Sequence, residues 1–392
     1  MTAATVSRWA RRYVLVSLVF LVSWQAGAVL GVPRRTEVTV AVYGFVLLMV
    51  FGKAYSLVPT YFDRELAIPQ APAVQFPLVV LGAGGLVGAS LGLGPAWTGS
   101  VGAVLWGLGV SVFLGTILWT VRGNLTGRDT ATGGPNAHRE PVDRLANRFV
   151  PVALSYLAVG SYETVAMHTA LTPLLGGYPP RVTHLLAAGT AGLLVFALGF
   201  RLLPRFTVAT PPRPLVLVVL PAGAVGPALL AAHLGTGPWF QVGALLEAVA
   251  VFGFAVTVGV LFVRSDRERV GFYGVLAGAT SGVVAVGLGL WFAVAHWSPA
   301  LAAAHLRLNL LGFLGLTIVG IAYQFYPPAV GSLPGSSDRS ALVSIVALTT
   351  GLGLQVVGLA SGVELVATMG TVLSLGGALL YAYLIVAVFA AR

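Results

Sequence analysis

Long apolar runs separated by short clusters of charged residues constrain the fold of this chain more than any other feature. Each run has about 20 residues, the length that an α-helix needs to cross a bilayer. The composition agrees, because 57% of the residues are hydrophobic and only 9% are charged. Soluble domains have about a quarter charged residues. The sequence therefore predicts an all-α integral membrane protein whose main partner is the lipid bilayer.

Twelve apolar runs are long enough to be transmembrane helices. We place them at about 13–31, 37–58, 76–94, 100–121, 149–173, 183–203, 214–233, 240–263, 271–293, 302–325, 341–360 and 364–388. The longest connection, 121–148, is polar and contains glycine and proline, and we expect a surface loop there.

The basic residues predict the orientation, because cytoplasmic loops of membrane proteins are enriched in Lys and Arg. With the N-terminus inside, the outer segments contain only Arg34, Arg35 and Arg181, and Lys53 and Arg307 lie within spans. All other basic residues are inside: Arg8, Arg11, Arg12, Arg64, Arg122, Arg128, Arg139, Arg144, Arg148, Arg201, Arg205, Arg213, Arg264, Arg267, Arg269, Arg339 and Arg392. We expect a multi-pass plasma-membrane protein with both termini cytoplasmic. The net charge of +10 then reflects topology, and no nucleic-acid partner is expected.

The chain contains no cysteine, which limits its cofactor chemistry. Disulfides, thiolate metal sites, iron–sulfur clusters and covalent c-type haem attachment are excluded. Any metal or haem has to be held by His, carboxylate, Tyr or Met side chains.

Spans two, six and ten share a pattern when they are aligned on Pro59, Pro204 and Pro327. Small or aromatic residues recur seven, five, four and fifteen positions before each proline. They are Gly52, Ala197 and Gly320; Ala54, Gly199 and Ala322; Tyr55, Phe200 and Tyr323; and Gly44, Gly189 and Gly312. Small residues at this spacing also serve generic helix packing in membranes, which is the alternative explanation.

Spans two, six and ten are four spans apart, so a repeat that includes them predicts three units of four helices each. We expect these units in a pseudo-threefold arrangement within one transmembrane domain, residues 1–392. The units are about 1–122, 149–264 and 270–392, with 122–148 as a cytoplasmic loop. Polar residues fall near the outer ends of the aligned spans, 22 and 20 positions before the prolines. Those positions hold Glu37, Val182 and His305, and Thr39, His184 and Arg307. We expect them to converge.

Two histidine-containing segments stand out in the aligned spans: "AHLRLNLLGF" in span ten and "THLLAAGTAG" in span six. With these segments and its twelve spans, the chain resembles subunit I of the haem–copper oxidases and its nitric oxide reductase and NnrS-like relatives. In that superfamily span ten carries a His-x-His pair. Its first histidine is the axial ligand of the active-site haem, and its second histidine holds the low-spin haem together with a histidine on span two. Spans six and seven supply the copper ligands.

The resemblance implies that His305 is the axial ligand of a single haem b and that His184 is a second ligand or a distal residue. Arg307 replaces the second histidine of the pair, span two offers no histidine, and span seven contains only His233. The low-spin haem site and copper are therefore not expected, and neither is oxygen or nitric oxide reduction. The alternative for both histidines is an interfacial residue hydrogen-bonded to a neighbour or to water.

Three functions remain open: a haem-binding protein of respiratory or nitric-oxide-related electron transport, with respiratory-complex subunits as partners; a non-catalytic structural or assembly subunit; and a transporter. Arg307 is expected to pair with Glu37, to bind a haem propionate or another anion, or to extend to the interface. Glu163 and Glu247 lie within spans. We expect each to be a proton-relay group or a counter-charge, or else a protonated carboxyl group hydrogen-bonded between helices. Asn309, Gln324 and Gln355 are expected to bond between helices.

Overall fold

The computed structural model describes residues 2–391, and these form helices without any strand. Twelve of the helices are long and apolar enough to cross a membrane, which confirms the all-α class and the number of spans. Spans one to twelve are Ala4–Val29, Arg34–Tyr61, Ala71–Ser90, Thr98–Asn124, Gly134–Ala166, Pro179–Thr207, Arg213–His233, Gly237–Val263, Val270–Val294, Pro299–Phe325, Asp338–Ser361 and Glu364–Ala390.

Span five differs most from its predicted boundaries. The α-helix begins at Glu140, after a 3₁₀ turn, and ends at Ala166. The predicted span 149–173 therefore starts too late and ends too late, and the connection before it is shorter than the predicted loop 121–148. The prediction extended the span to 173 because the residues after Ala166 are largely apolar. In the structure they form a loop that contains Pro173 and two glycines of positive φ, Gly176 and Gly177.

Internal contacts divide the chain into two compact units. The first contains Met1–Phe20, Pro33–Arg201 and Pro227–Leu234, and the second contains Leu21–Val32, Leu202–Gly226 and Gly235–Arg392. The expected single domain with three repeat units stays a prediction.

Small residues bring neighbouring spans into close contact within each unit. In the first unit, a Cβ on Gly82 of span three would lie 2.6 Å from the backbone nitrogen of Trp106 in span four. In the second unit, a Cβ on Gly274 of span nine would lie 2.9 Å from Cα of Gly320 in span ten. Backbones approach this closely only where side chains are absent, which is how helices gain packing contacts in a membrane.

Spans two, six and ten share two further properties. They are the most buried spans, with 72%, 78% and 72% of their most apolar stretch buried, against 28–56% in the other nine described spans. Each also contains a π-helical segment, and no other described span does. The segments are Val40–Val46, His184–Gly192 and Leu308–Leu316, which begin 19 or 20 residues before the aligned prolines.

The aligned glycines occupy the same kind of contact in all three spans. Each lies within the π-helical segment, where a side chain would overlap a residue of the span that precedes it in the chain. The pairs are Gly44 with Phe20, Gly189 with Tyr156 and Gly312 with Ser281. The glycine pattern found in the sequence therefore has a local packing role that recurs three times.

Candidate functional site

His305 lies near the start of span ten, with its imidazole against span nine. Its Nδ1 is 2.9 Å from the carbonyl oxygen of Ala285. A side chain on Gly289 would touch the ring, and Phe292 meets the ring edge-on with centroids 5.7 Å apart. Ala285, Gly289 and Phe292 are separated by four and three residues, so they lie on one face of their helix. This face of span nine forms the seat of the imidazole.

The hydrogen bond to Ala285 determines which nitrogen of His305 carries the proton. A carbonyl oxygen only accepts, so Nδ1 is the donor and Nε2 has the free electron pair of a neutral ring. The side-chain amide nitrogen of Asn309 lies 3.2 Å from Nε2 and also donates to the carbonyl oxygen of His305 at 2.8 Å. Asn309 therefore bonds within its own helix, contrary to the prediction, and it covers the nitrogen that would bind a metal.

Arg307 begins a chain of hydrogen bonds that joins spans ten, eleven and twelve. Its guanidinium donates to Oε1 of Gln355 at 2.7 Å. Nε2 of Gln355 donates to Oγ of Ser374 at 2.7 Å and to the carbonyl oxygen of Gly370 at 3.2 Å. Because arginine only donates, this arrangement also assigns the two ends of the amide. The predicted interhelical bond of Gln355 is confirmed, whereas Gln324 has no hydrogen-bond partner among the described residues.

His184 is the first residue of the π-helical segment of span six and is half-buried. Its Nδ1 is 2.7 Å from the carbonyl oxygen of Pro180, one turn earlier in the same span. As in His305, a backbone carbonyl therefore holds the proton on Nδ1 and leaves the electron pair on Nε2. The two histidines share this orientation but belong to different units.

Glu37 is buried in the first helical turn of span two. A carboxylate is favoured there, because the first turn of a helix has unpaired N–H groups and a partial positive charge. The ion pair with Arg307 that the sequence led us to expect stays a prediction.

Glu163 and Glu247 are both buried, but their surroundings differ. Oε1 of Glu163 accepts two backbone N–H groups of the following loop, from Leu174 at 2.5 Å and from Leu175 at 3.2 Å. Glu163 therefore anchors the connection between spans five and six. Glu247 has no hydrogen-bond or ion-pair partner among the described residues, and its carboxyl group lies against Gly226 of span seven.

Arg201 is the polar residue that the sequence did not identify. It was counted with the basic residues of the inner segments, at the end of predicted span six, but its side chain is 2% exposed and pairs with Asp143, which is 1% exposed, at 3.5 Å. It also donates to Oδ1 of Asn147 at 2.5 Å and to the carbonyl oxygen of Tyr61 at 2.7 Å, and it lies over the Tyr61 ring. Thr132 completes the cluster by donating to Oδ2 of Asp143 at 2.6 Å.

This cluster, which we call the Arg201 cluster, also holds the connection between spans four and five. Arg201 donates to the carbonyl oxygen of Thr130 at 2.7 Å. Asn124 donates to the carbonyl oxygens of Phe62 and Asp129. The sequence shows the charged residues but not their pairing, because Arg201 and Asp143 are 58 positions apart.

Within residues 2–391, no group of three or more His, Asp or Glu side chains is arranged to hold a metal ion. No protein-family model matches the chain, and no curated protein matches it.

Proposed function

We propose that this chain is a plasma-membrane protein of the haem–copper oxidase subunit I type that binds one haem b through His305. Its three four-helix units surround a pseudo-threefold axis, and both termini are cytoplasmic. It works in respiratory or nitric-oxide-related electron transport, in contact with lipid and with other subunits of a respiratory complex. The bound haem would supply a one-electron redox centre with an iron atom that binds small gaseous ligands.

The observation that carries this proposal is the hydrogen bond from Nδ1 of His305 to the carbonyl oxygen of Ala285. Histidines that bind metals usually donate their second ring nitrogen to a carbonyl or carboxylate, which fixes the ring and leaves Nε2 as the ligand. His305 therefore fits an axial ligand in tautomer and orientation. The amide of Asn309 has to turn away from Nε2 when iron binds there.

The repeated π-helical segments support the architecture that we propose. Such segments are rare, and they occur frequently at functional sites. Here they stand at matching positions of spans two, six and ten; His184 is the first residue of one, and Arg307 directly precedes another. A threefold repeat accounts for this coincidence, whereas generic packing of small residues does not.

Visible spectra of the purified protein, oxidised and reduced, test the proposal. We expect a Soret band that is lost in His305→Ala and kept in His296→Ala, which removes an exposed histidine from the segment between spans nine and ten. Asn309→Ala frees Nε2 and should retain or raise haem occupancy. A colourless protein that takes up no haem on reconstitution, or an unchanged band in His305→Ala, would refute haem binding at this residue.

One observation favours a second candidate, a structural subunit without a cofactor. Asn309 already covers Nε2 of His305, so protein groups satisfy both ring nitrogens. In that case His305 and Asn309 act as a packing pair, and Asn309→Ala should lower stability without any spectral change.

A further inference from the structure

Glu247 is a carboxyl group placed inside a membrane-spanning helix against a glycine. It is the eleventh residue of span eight, Gly237–Val263, and it is 9% exposed. On span seven, a Cβ added to Gly226 would lie 2.9 Å from Cγ and 3.0 Å from Oε1 of Glu247. Any larger residue at Gly226 would therefore displace the carboxyl group.

Nothing in its surroundings compensates a negative charge on Glu247. No described residue donates a hydrogen bond to the carboxyl group or forms an ion pair with it. Span eight contains no Asp, Lys, Arg or His and no glutamate besides Glu247. The only titratable side chain of span nine is Tyr273, in its first turn. On span seven the titratable residues are Arg213 and His233, at its two ends.

We propose that Glu247 is a proton-binding site inside the membrane, occupied by its proton at neutral pH. A buried charge without a partner is so unfavourable that such a group becomes neutral instead. The ligand of this site is the proton itself, and the room that Gly226 leaves accommodates the neutral acid. The proposal does not depend on haem binding by His305.

Glu163 provides the comparison within the same chain. It is also buried, but two backbone N–H groups donate to its Oε1, whereas its Oε2 has no hydrogen-bond partner among the described residues. If burial alone decided the protonation state, the two residues would behave alike. If hydrogen-bond donors to the carboxyl group decide it, the two residues should differ.

Infrared spectroscopy tests the protonation state directly. The carbonyl stretch of a protonated carboxyl group should be present in the wild type at neutral pH, lost in Glu247→Gln and kept in Glu163→Gln. Gly226→Ala should shift this band because it moves the carboxyl group. Gly259→Ala should not, because a Cβ at Gly259 of span eight meets nothing within 4 Å. A band that is unchanged in Glu247→Gln overturns the proposal.

Reaction with dicyclohexylcarbodiimide, an apolar reagent, provides an independent measurement. The carboxyl proton moves to a nitrogen of the reagent while the carboxyl oxygen bonds to its central carbon, and the adduct rearranges to a stable N-acylurea with the full mass of the reagent. A solvated glutamate holds its proton in only about one molecule in 500 at pH 7. We therefore expect the peptide that contains Glu247 to be labelled at least about 100-fold faster than peptides whose carboxyl groups are all solvated.

The reagent experiment has its own contradicting result. A water-soluble carbodiimide should label exposed carboxyl groups such as Glu140 and leave Glu247 unlabelled. Equal labelling of Glu163 and Glu247 by the apolar reagent would show that burial, and not the lack of donors, controls reactivity, and would overturn the argument from hydrogen bonding.

Discussion

Two matched substitutions compare the contribution of a buried ion pair to stability with that of an exposed one. They are Asp143→Asn and Glu140→Gln. Both change an acid to its amide near the start of span five, three residues apart. Asp143 pairs with Arg201, and both side chains are at most 2% exposed. Glu140 pairs with Arg144 at 2.6 Å, with side chains 39% and 45% exposed. The chemical change is the same, so any difference in stability reports the surroundings.

The expected loss of stability depends on which interactions the arginine of each pair keeps after the substitution. Removing one member of a buried ion pair costs about 3–5 kcal/mol, because the other charge stays buried without compensation. Arg201 retains four oxygen acceptors, on Tyr61, Asn147, Thr130 and Thr132, so we expect the lower end, about 3 kcal/mol. That is roughly a 100-fold change in the folding equilibrium. For the exposed pair we expect about 0.3–0.5 kcal/mol.

Unfolding in mixed micelles by increasing amounts of SDS, followed by circular dichroism, measures both variants. Asp143→Asn should unfold at clearly less SDS than the wild type, and Glu140→Gln at nearly the same amount. Limited proteolysis of the segment 122–139 should accelerate only in Asp143→Asn, since Arg201 holds Thr130 and Thr132. Equal unfolding of the two variants would refute the reasoning, because the guanidinium would then not depend on its buried counter-charge.

Two further substitutions test interhelical contacts of the second unit. Gln355→Leu should lower stability by about 1–2 kcal/mol, because Arg307 loses a charge-assisted hydrogen bond, while the exposed Gln241→Leu should have little effect in the same SDS titration. Gly274→Leu should cost about 1–3 kcal/mol by forcing spans nine and ten apart, whereas Gly287→Leu, where a Cβ meets nothing within 4 Å, should be tolerated. Comparable losses in a variant and its control would contradict the contact assigned to that pair.

The sequence predicted the helices far better than their polar contacts. Its apolar runs identified all twelve described spans, although span five begins earlier and ends earlier than expected. Arg201 was counted with the basic residues of the inner segments because proximity to the end of an apolar run reveals nothing about side-chain burial. Asp143 and Thr132 were placed in a solvated loop for the same reason, although their side chains form part of the Arg201 cluster.

The candidate site was predicted only at the level of residue types. The resemblance identified His305. Its contacts with Ala285, Gly289 and Phe292 could not be predicted, because an apolar helix without strong amphipathic character does not indicate which face packs against a neighbour. The contrast between Glu163 and Glu247 was also invisible. It depends on a loop that folds back to supply two N–H groups to one carboxyl group and not to the other.

The sequence by itself determined that the chain is a bundle of membrane-spanning helices. Lipid offers no hydrogen bonds to the backbone, so an apolar run of about 20 residues has to satisfy its own N–H and C=O groups as a helix. The tertiary structure alone decided which polar side chains meet. The rotation of each helix and the path of each loop determine those distances, and they brought Arg201 to Asp143, oriented His305 by Ala285, and left Glu247 against a glycine.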